Sequence, residues 1–326
     1  MNRVNFSNKD LTDFVRLGEH FLEGKAIKVV TPSESNIVKK RDPRIGFDKD
    51  GKINFINISY SLMSRMLYKG EPKPICPKRF YHTHLICDII EPSTLSQDKG
   101  KYFEYKCIGA SNYDDIVLDL PVHKKTGRKL IDTIRIDAAV DRFKEQSEKY
   151  GMVIDKNYVQ YKTNRIWIDK KKMISTDIHI IVSVTIDFIS PITWEQYNYP
   201  AAVFDLKLTG DRDGCYPPFC WGDPKQMDLI QGILYSSVTG MPFFFYVFDY
   251  RAHNPGHKLI PIKTIATHPN DPDAINRENE LDQNIRWSVA AILDMEANGW
   301  KEDPADNNCK ECPLYDCKAR HRIEAA

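Results

Sequence analysis

DIHIIVSVTIDFIS (177–190), followed by AAVFDLKL (201–208), decides the reading of this chain. Both runs are rich in β-branched and aromatic residues, the composition of strands that pack at least one face against a core. YVQYKTNRIWID (158–169) has the same make-up, and KKKMIST (170–176) supplies a polar turn between it and DIHIIVSVTIDFIS, so these two runs predict a β-hairpin. Asp187 lies near the end of one strand, and Asp205-Leu206-Lys207 toward the end of the next. Residues two apart on a strand share a face, so Asp205 and Lys207 project together. If the two strands are neighbours, Asp187 joins them at one rim of the sheet.

Working outward, DPKQMDLIQGILYSSVTG (223–240) has Pro224 near a helix start and Met227, Ile230, Leu234 and Val238 at helical spacing. MPFFFYVFDY (241–250) reads as a strand buried on both faces. A final amphipathic helix over about 273–298 carries Ile275, Leu281, Ile285, Val289 and Ile292 and stops at Asn298-Gly299. Upstream, ISYSLMSRMLY (58–68), residues 98–109 and residues 132–149 read as helices, with the Pro-rich turn EPKPICP after the first. Residues 1–56 are polar, with one amphipathic helix over roughly Leu11 to Glu23. The order helix, hairpin, strand, helix, strand predicts an α/β architecture, a mixed sheet covered by helices.

Of the 326 residues, 42% are hydrophobic and 28% charged, a globular composition with length for one large or two modest domains. No run approaches the roughly 18 apolar residues of a membrane span. MNRVNFSNKDLTDF lacks the apolar centre of a secretory signal, so the expectation is a cytoplasmic protein whose eight cysteines are thiols or metal ligands rather than disulfides. Net charge is only +1, so nucleic-acid binding would rest on local basic runs. Those are Lys39, Lys40, Arg41 and Arg44; Lys124, Lys125, Arg128 and Lys129; and Lys170, Lys171 and Lys172, each of which reads equally well as a solvated loop.

Clustered carboxylates repel unless a cation neutralises them, and hard oxygen donors with open positions suit Mg²⁺ or Mn²⁺. A lysine beside such a site can orient a water or stabilise charge on a phosphoryl group, which is the equipment of phosphodiester hydrolysis. The plainer reading is a strand-end aspartate with a surface lysine. CKECPLYDC (309–317) brings three thiols, Cys309, Cys312 and Cys317, which cannot fill a four-ligand site without a remote partner. Cys76 in CPKRFY (76–81) is the candidate, and zinc or an iron–sulfur cluster would accept the set. Cys215 and Cys220 in GCYPPFCWG read as packing residues, Cys87 and Cys107 as buried thiols, and His82 and His84 as packing or phosphate-contact groups. Tyr216, Phe219 and Trp221 could stack on unpaired bases. No GxxxxGK[ST] run is present, so any NTPase would come from a partner.

VTIDFIS, AVFDLKLTGD and a helix with Gln231 and Tyr235 four residues apart together resemble the PD-(D/E)XK nuclease superfamily, in its RecB-type branch. That branch carries an acidic residue on an upstream helix, and DKGKYFEYKCIG (98–109) fits its G-x-x-x-E form, which implies Glu104 as a third carboxylate. CPKRFY with the C-terminal cysteines is similar to the iron–sulfur members, the CRISPR-associated exonucleases and the AddB-type nuclease domains. The resemblance covers about Ile58 to His321, leaving residues 1–57 without a role and residues 110–157 as an insertion. It implies a restriction-endonuclease-like mixed sheet flanked by helices, its ends joined by a [4Fe–4S] cluster on Cys76, Cys309, Cys312 and Cys317. It also implies that Glu104, Asp187 and Asp205 hold Mg²⁺ or Mn²⁺, that Lys207 activates water, that Gln231 positions these groups and that Tyr235 lies by the DNA path. The activity implied is digestion of single-stranded or frayed DNA to 5′-phosphates, beside a helicase or recombinase partner. Asp177 in ISTDIHI also fits the second motif, whose usual glycine is missing before Asp187. A non-catalytic DNA-end-binding module and a zinc-stapled scaffold remain the rival classes.

Overall fold

The computed structural model describes residues 43–89, 93–109, 120–174, 177–216, 219–223, 226–251 and 255–303. The expected Leu11–Glu23 helix and the cysteines at 309, 312 and 317 lie outside them. In chain order the strands are β1 (Ile45–Phe47), β2 (Ile53–Ile58), β3 (Leu67–Tyr68), β4 (Glu71–Pro72), β5 (Val159–Ile166), β6 (His179–Trp194), β7 (Tyr197–Thr209), β8 (Cys215–Tyr216), β9 (Phe219–Cys220), β10 (Phe243–Asp249) and β11 (His257–Ile262). The α-helices are α1 (Tyr60–Met66), α2 (Pro77–Phe80), α3 (Leu95–Ile108), α4 (Ile131–Lys149), α5 (Ile230–Thr239) and α6 (Pro272–Ala297). No described helix is long and apolar enough to cross a membrane.

The chain divides into two compact units, and strand β6 contributes its beginning to one and its remainder to the other. In the unit formed by residues 94–163 and 185–278, β6 pairs antiparallel with β7, β7 parallel with β10, and β10 antiparallel with β11. The expected pairing of β5 with β6 is present. β10 is buried at every position, as a strand covered on both faces must be. One face packs on α3 and α4, where Tyr102, Phe103, Ile136 and Phe143 meet Phe188, Phe204, Phe244 and Tyr246. The Phe188 and Phe204 rings stack with centroids 4.8 Å apart, and each such buried ring contributes about 2–3 kcal/mol of hydrophobic stabilisation. Helix α4 supplies part of this core from within the 110–157 stretch.

Helix α5 packs on β10. Its closeness depends on Gly232, where a Cβ would stand only 2.8 Å from the Phe243 ring. The helix begins at Ile230 rather than near Pro224, because Asp228 Oδ1 accepts from the Ile230 backbone and fixes the entry turn there. Strands β6 and β7 also run further than expected and form a hairpin of their own, closed where Trp194 faces Tyr197 and Glu195 takes a left-handed φ of 51°.

The second unit, residues 43–93, 164–184 and 279–303 of the described chain, holds β1 antiparallel to β2 and β2 parallel to the start of β6. Its polar centre is Arg286, 2.9 Å from Asp169 and 2.6 Å from Asp282, while Trp167 donates to Asp282 at 2.7 Å. Asp169 also accepts from the backbone of Lys171, Met173 and Ile174, which shapes the lysine-rich turn. Beyond α6 the chain turns at Gly299, packs Trp300 at a tilt against Tyr81 with centroids 4.7 Å apart, and pairs Glu302 with Lys78 at 2.8 Å.

Candidate active site

Strands β6 and β7 pair with Phe188 facing Phe204, which brings Asp187 and Asp205 opposite one another one residue along. Both carboxylates are buried, 7% and 3% exposed, and like charges directly across a strand pair repel. Three contacts hold them. Lys207 Nζ lies 2.5 Å from Asp205 Oδ2, Gln231 Nε2 donates to Asp205 Oδ1 at 2.7 Å, and the Leu206 backbone donates to Asp187 Oδ2 at 2.7 Å.

Glu104 comes from α3, which a capping box of Thr94 and Gln97 begins and the left-handed Gly109 ends. Lys99–Asp132 at 2.6 Å and Tyr102–Asp137 at 2.6 Å tie this helix to α4. The buried Glu104 accepts from Gln160 Nε2 at 2.5 Å. Gly100, by contrast, has open space where a side chain would go, so nothing steric demands glycine in that motif.

The electrostatics follow from burial. Desolvation lifts the Asp187 carboxyl well above its ordinary value; the charges of Glu104 and Asp205 add to the rise, and Lys207 and the Leu206 N–H oppose it. Asp205 is raised by burial too, against the pull of Lys207 and Gln231. At Asp187 the charges of Glu104 and Asp205 thus act against the single ammonium of Lys207. Asp177 is exposed and lies before β6, whereas Asp187 feels the charge of Asp205.

Two further atoms point to a missing donor. Gln231 Oε1 and Gln160 Oε1 are buried and accept no hydrogen bond. Their orientation is fixed because each amide nitrogen must face a carboxylate that only accepts. A buried acceptor left unmatched costs about 1–3 kcal/mol, and waters on a cation would supply the donors. Oxygen donors and charge therefore suit a hydrated divalent cation. Among the described residues, however, no three His, Cys, Asp or Glu side chains are gathered around one point. Glu104 is turned to Gln160 and Asp205 to Lys207 and Gln231.

Gln160 is the residue that sequence reasoning passed over. It sits in β5 with a left-handed φ of 50°, an unfavourable backbone for a side chain with a Cβ. No motif flags a lone strand glutamine. Tyr235, one turn beyond Gln231, packs edge-on against Phe243 with centroids 5.7 Å apart.

Phe219 and Trp221 of the aromatic loop pack on each other. Trp221 is buried and stacks on Phe219 at 4.8 Å, and the Lys207 ammonium lies 5.3 Å from the Phe219 ring centre. Cys215 and Cys220 face each other across β8 and β9 and are joined as a disulfide, against the expectation of thiols, because the short antiparallel pair places them in register. Cys87 is buried as expected, and desolvation raises the Cys107 thiol well above its usual pKa. His82 pairs with Asp88 at 3.1 Å, and His84 packs edge-on to Phe80.

No protein family matches this chain, and no curated protein is similar to it. Among solved structures it is similar to a crystal structure from Eubacterium rectale described as "Putative exonuclease", with a TM-score of 0.49 and 15% sequence identity, over 82% of this chain and 87% of that one.

Proposed function

We propose that this chain is a metal-dependent nuclease that hydrolyses DNA from single-stranded or frayed ends. One observation carries the reading: the Asp205–Lys207 pair at 2.5 Å on one strand, set opposite the buried Asp187. A protein that only bound nucleic acid would gain nothing from buried acids facing phosphate.

Asp187, Asp205 and Glu104 would hold Mg²⁺ or Mn²⁺, which when bound supplies Lewis acidity and lowers the pKa of water. The side chains do the rest. Lys207 Nζ, held 2.5 Å from Asp205, hydrogen-bonds the attacking water or a phosphoryl oxygen and stabilises the charge that develops there. Gln231 and Gln160 keep Asp205 and Glu104 from swinging away. The product is a 5′-phosphate with a 3′-hydroxyl, and unwinding falls to a partner helicase or recombinase.

We further propose that Cys76 and the C-terminal thiols Cys309, Cys312 and Cys317 share a [4Fe–4S] cluster. Support comes from the chain before those cysteines, where the Asp303 backbone donates to the buried Cys76 Sγ at 3.5 Å. Such N–H···S bonds are typical around cluster thiolates.

The test is digestion of end-labelled single- and double-stranded DNA with Mg²⁺, Mn²⁺ or EDTA. Cation-dependent shortening from the ends supports the nuclease. Intact protein that cuts neither DNA nor RNA assigns the fold to DNA-end binding instead. Absorbance near 400 nm in anaerobically purified protein, lost in Cys76→Ala, distinguishes the cluster from zinc.

A further inference from the structure

A cavity of about 760 Å³ opens beyond Lys207, lined by Ser96, Lys99, Leu208–Asp213 and Asp249–Arg251. It lies at the carboxyl ends of β7 and β10, which run parallel, and such ends are where open α/β sheets bind ligands. Thr209 is two residues past Lys207 on the same strand, about 7 Å along it.

The charges in the cavity sort themselves by partner. The buried Asp249 lies 3.4 Å from Arg212 Nε. Asp213 lies 2.7 Å from Lys258 and 3.6 Å from the same Arg212 Nε. Asp211 Oδ1 accepts the Asp213 backbone at 2.9 Å, and Lys99 is held by Asp132 at 2.6 Å. Both Arg212 contacts therefore run through Nε, which leaves its two terminal amino groups without a described partner. Arg251 faces only the Tyr250 ring, 5.9 Å away, and is paired with no carboxylate among the described residues.

Arg251 is seated over a glycine: a Cβ at Gly210 would come 2.9 Å from Arg251 Nε. Arg251 and the terminal amino groups of Arg212 line one cavity, and guanidinium donors of this kind suit phosphate oxygens.

We propose that this cavity binds the phosphate of a nucleotide through Arg212 and Arg251. On the nuclease reading, on which this rests for its biological meaning, that phosphate is the neighbour of the one cut beside Lys207. Tyr250 and Leu208 then border the sugar and base.

Calorimetric titration of the full chain with thymidine 5′-monophosphate in EDTA tests this without any hydrolysis. Wild type binds, thymidine does not, and the exposed Arg251→Gln weakens binding by about tenfold or more. Gly210→Ala, which removes no charge, acts in the same direction by displacing Arg251. Unchanged affinity in both variants overturns the proposal. Inorganic phosphate binding as tightly as the nucleotide overturns its nucleotide part. DNA cleavage by wild type with unaltered nucleotide binding in Arg251→Gln sinks this site but not the nuclease. Loss of nucleotide binding in Arg251→Gln, with no DNA cleavage by wild type, keeps the site and sinks the nuclease.

Discussion

Gln160 donates to Glu104 at 2.5 Å from a backbone held at a φ of 50°, so a strained strand residue fixes the helix carboxylate. Strain that the surrounding fold sustains is a pointer to function. Gln160→Gly relaxes the backbone and removes only the grip. It is expected to lower Mn²⁺ affinity about 10–100-fold, the range for residues that orient metal ligands. Gln160→Glu sets a second carboxylate against Glu104 and weakens binding more. Electron paramagnetic resonance titration of Mn²⁺ reads this directly, and wild-type affinity in Gln160→Gly removes the role.

Lys207→Ala is expected to cost about 10²–10⁴ in single-turnover cleavage while DNA affinity changes little, since its ammonium acts on the transition state. Asp205→Ala also loses cleavage, through the metal, so a rising Mn²⁺ series restores part of it. The lysine variant stays inactive across that series. Equal activity of Lys207→Ala and wild type would place the chemistry elsewhere.

Burial raises the Asp187 carboxyl, and the sign of the consequence is fixed. The folded form holds its proton more tightly than the unfolded one. Its contribution to stability is full below the ordinary carboxylate pKa of about 4 and is lost as pH rises through the folded value. Asp187→Asn should therefore melt higher than wild type at pH 7, each kcal/mol gained being worth about 2–4 °C. The same variant should lose the stabilisation that Mn²⁺ gives the wild type. A lower melting temperature at pH 7 contradicts the argument.

His257 titrates the other way. Burial, helped by Arg142, depresses it to about 4, and Tyr150 shares a hydrogen bond with it at 2.8 Å. The unfolded histidine takes a proton near pH 6.5, so this stability is present above that value and lost as pH falls toward about 4. Urea midpoints across that window should fall less steeply in His257→Gln. Parallel profiles for the two proteins would show that His257 is not responsible.

The strands with strong apolar character were legible: most of DIHIIVSVTIDFIS and MPFFFYVFDY and all of AAVFDLKL lie in β6, β10 and β7. So was the shared face of Asp205 and Lys207, which strand alternation sets; Asp187 joins them through the β6–β7 register, which the sequence left as a condition. Partners contributed by distant elements were not. Gln160 carries no pattern, and the Trp194–Tyr197 turn lacks the Gly or Asn that announces a hairpin. β1, β2 and β11 are short, and β11 contains Pro261, so composition could not separate them from loops. The Cys215–Cys220 pairing depends on register across β8 and β9, which spacing does not reveal.

Gly232 takes no part in the chemistry, yet the Gln231–Asp205 contact depends on it. Even a methyl group at 232 would meet the Phe243 ring and lift the helix that carries Gln231. In a saturation library scored for cleavage, position 232 would score like a catalytic residue. Scored for expression alone, it would pass for an ordinary packing position. The gap between those two maps would trace how far the reacting groups depend on one helix lying flush against its sheet.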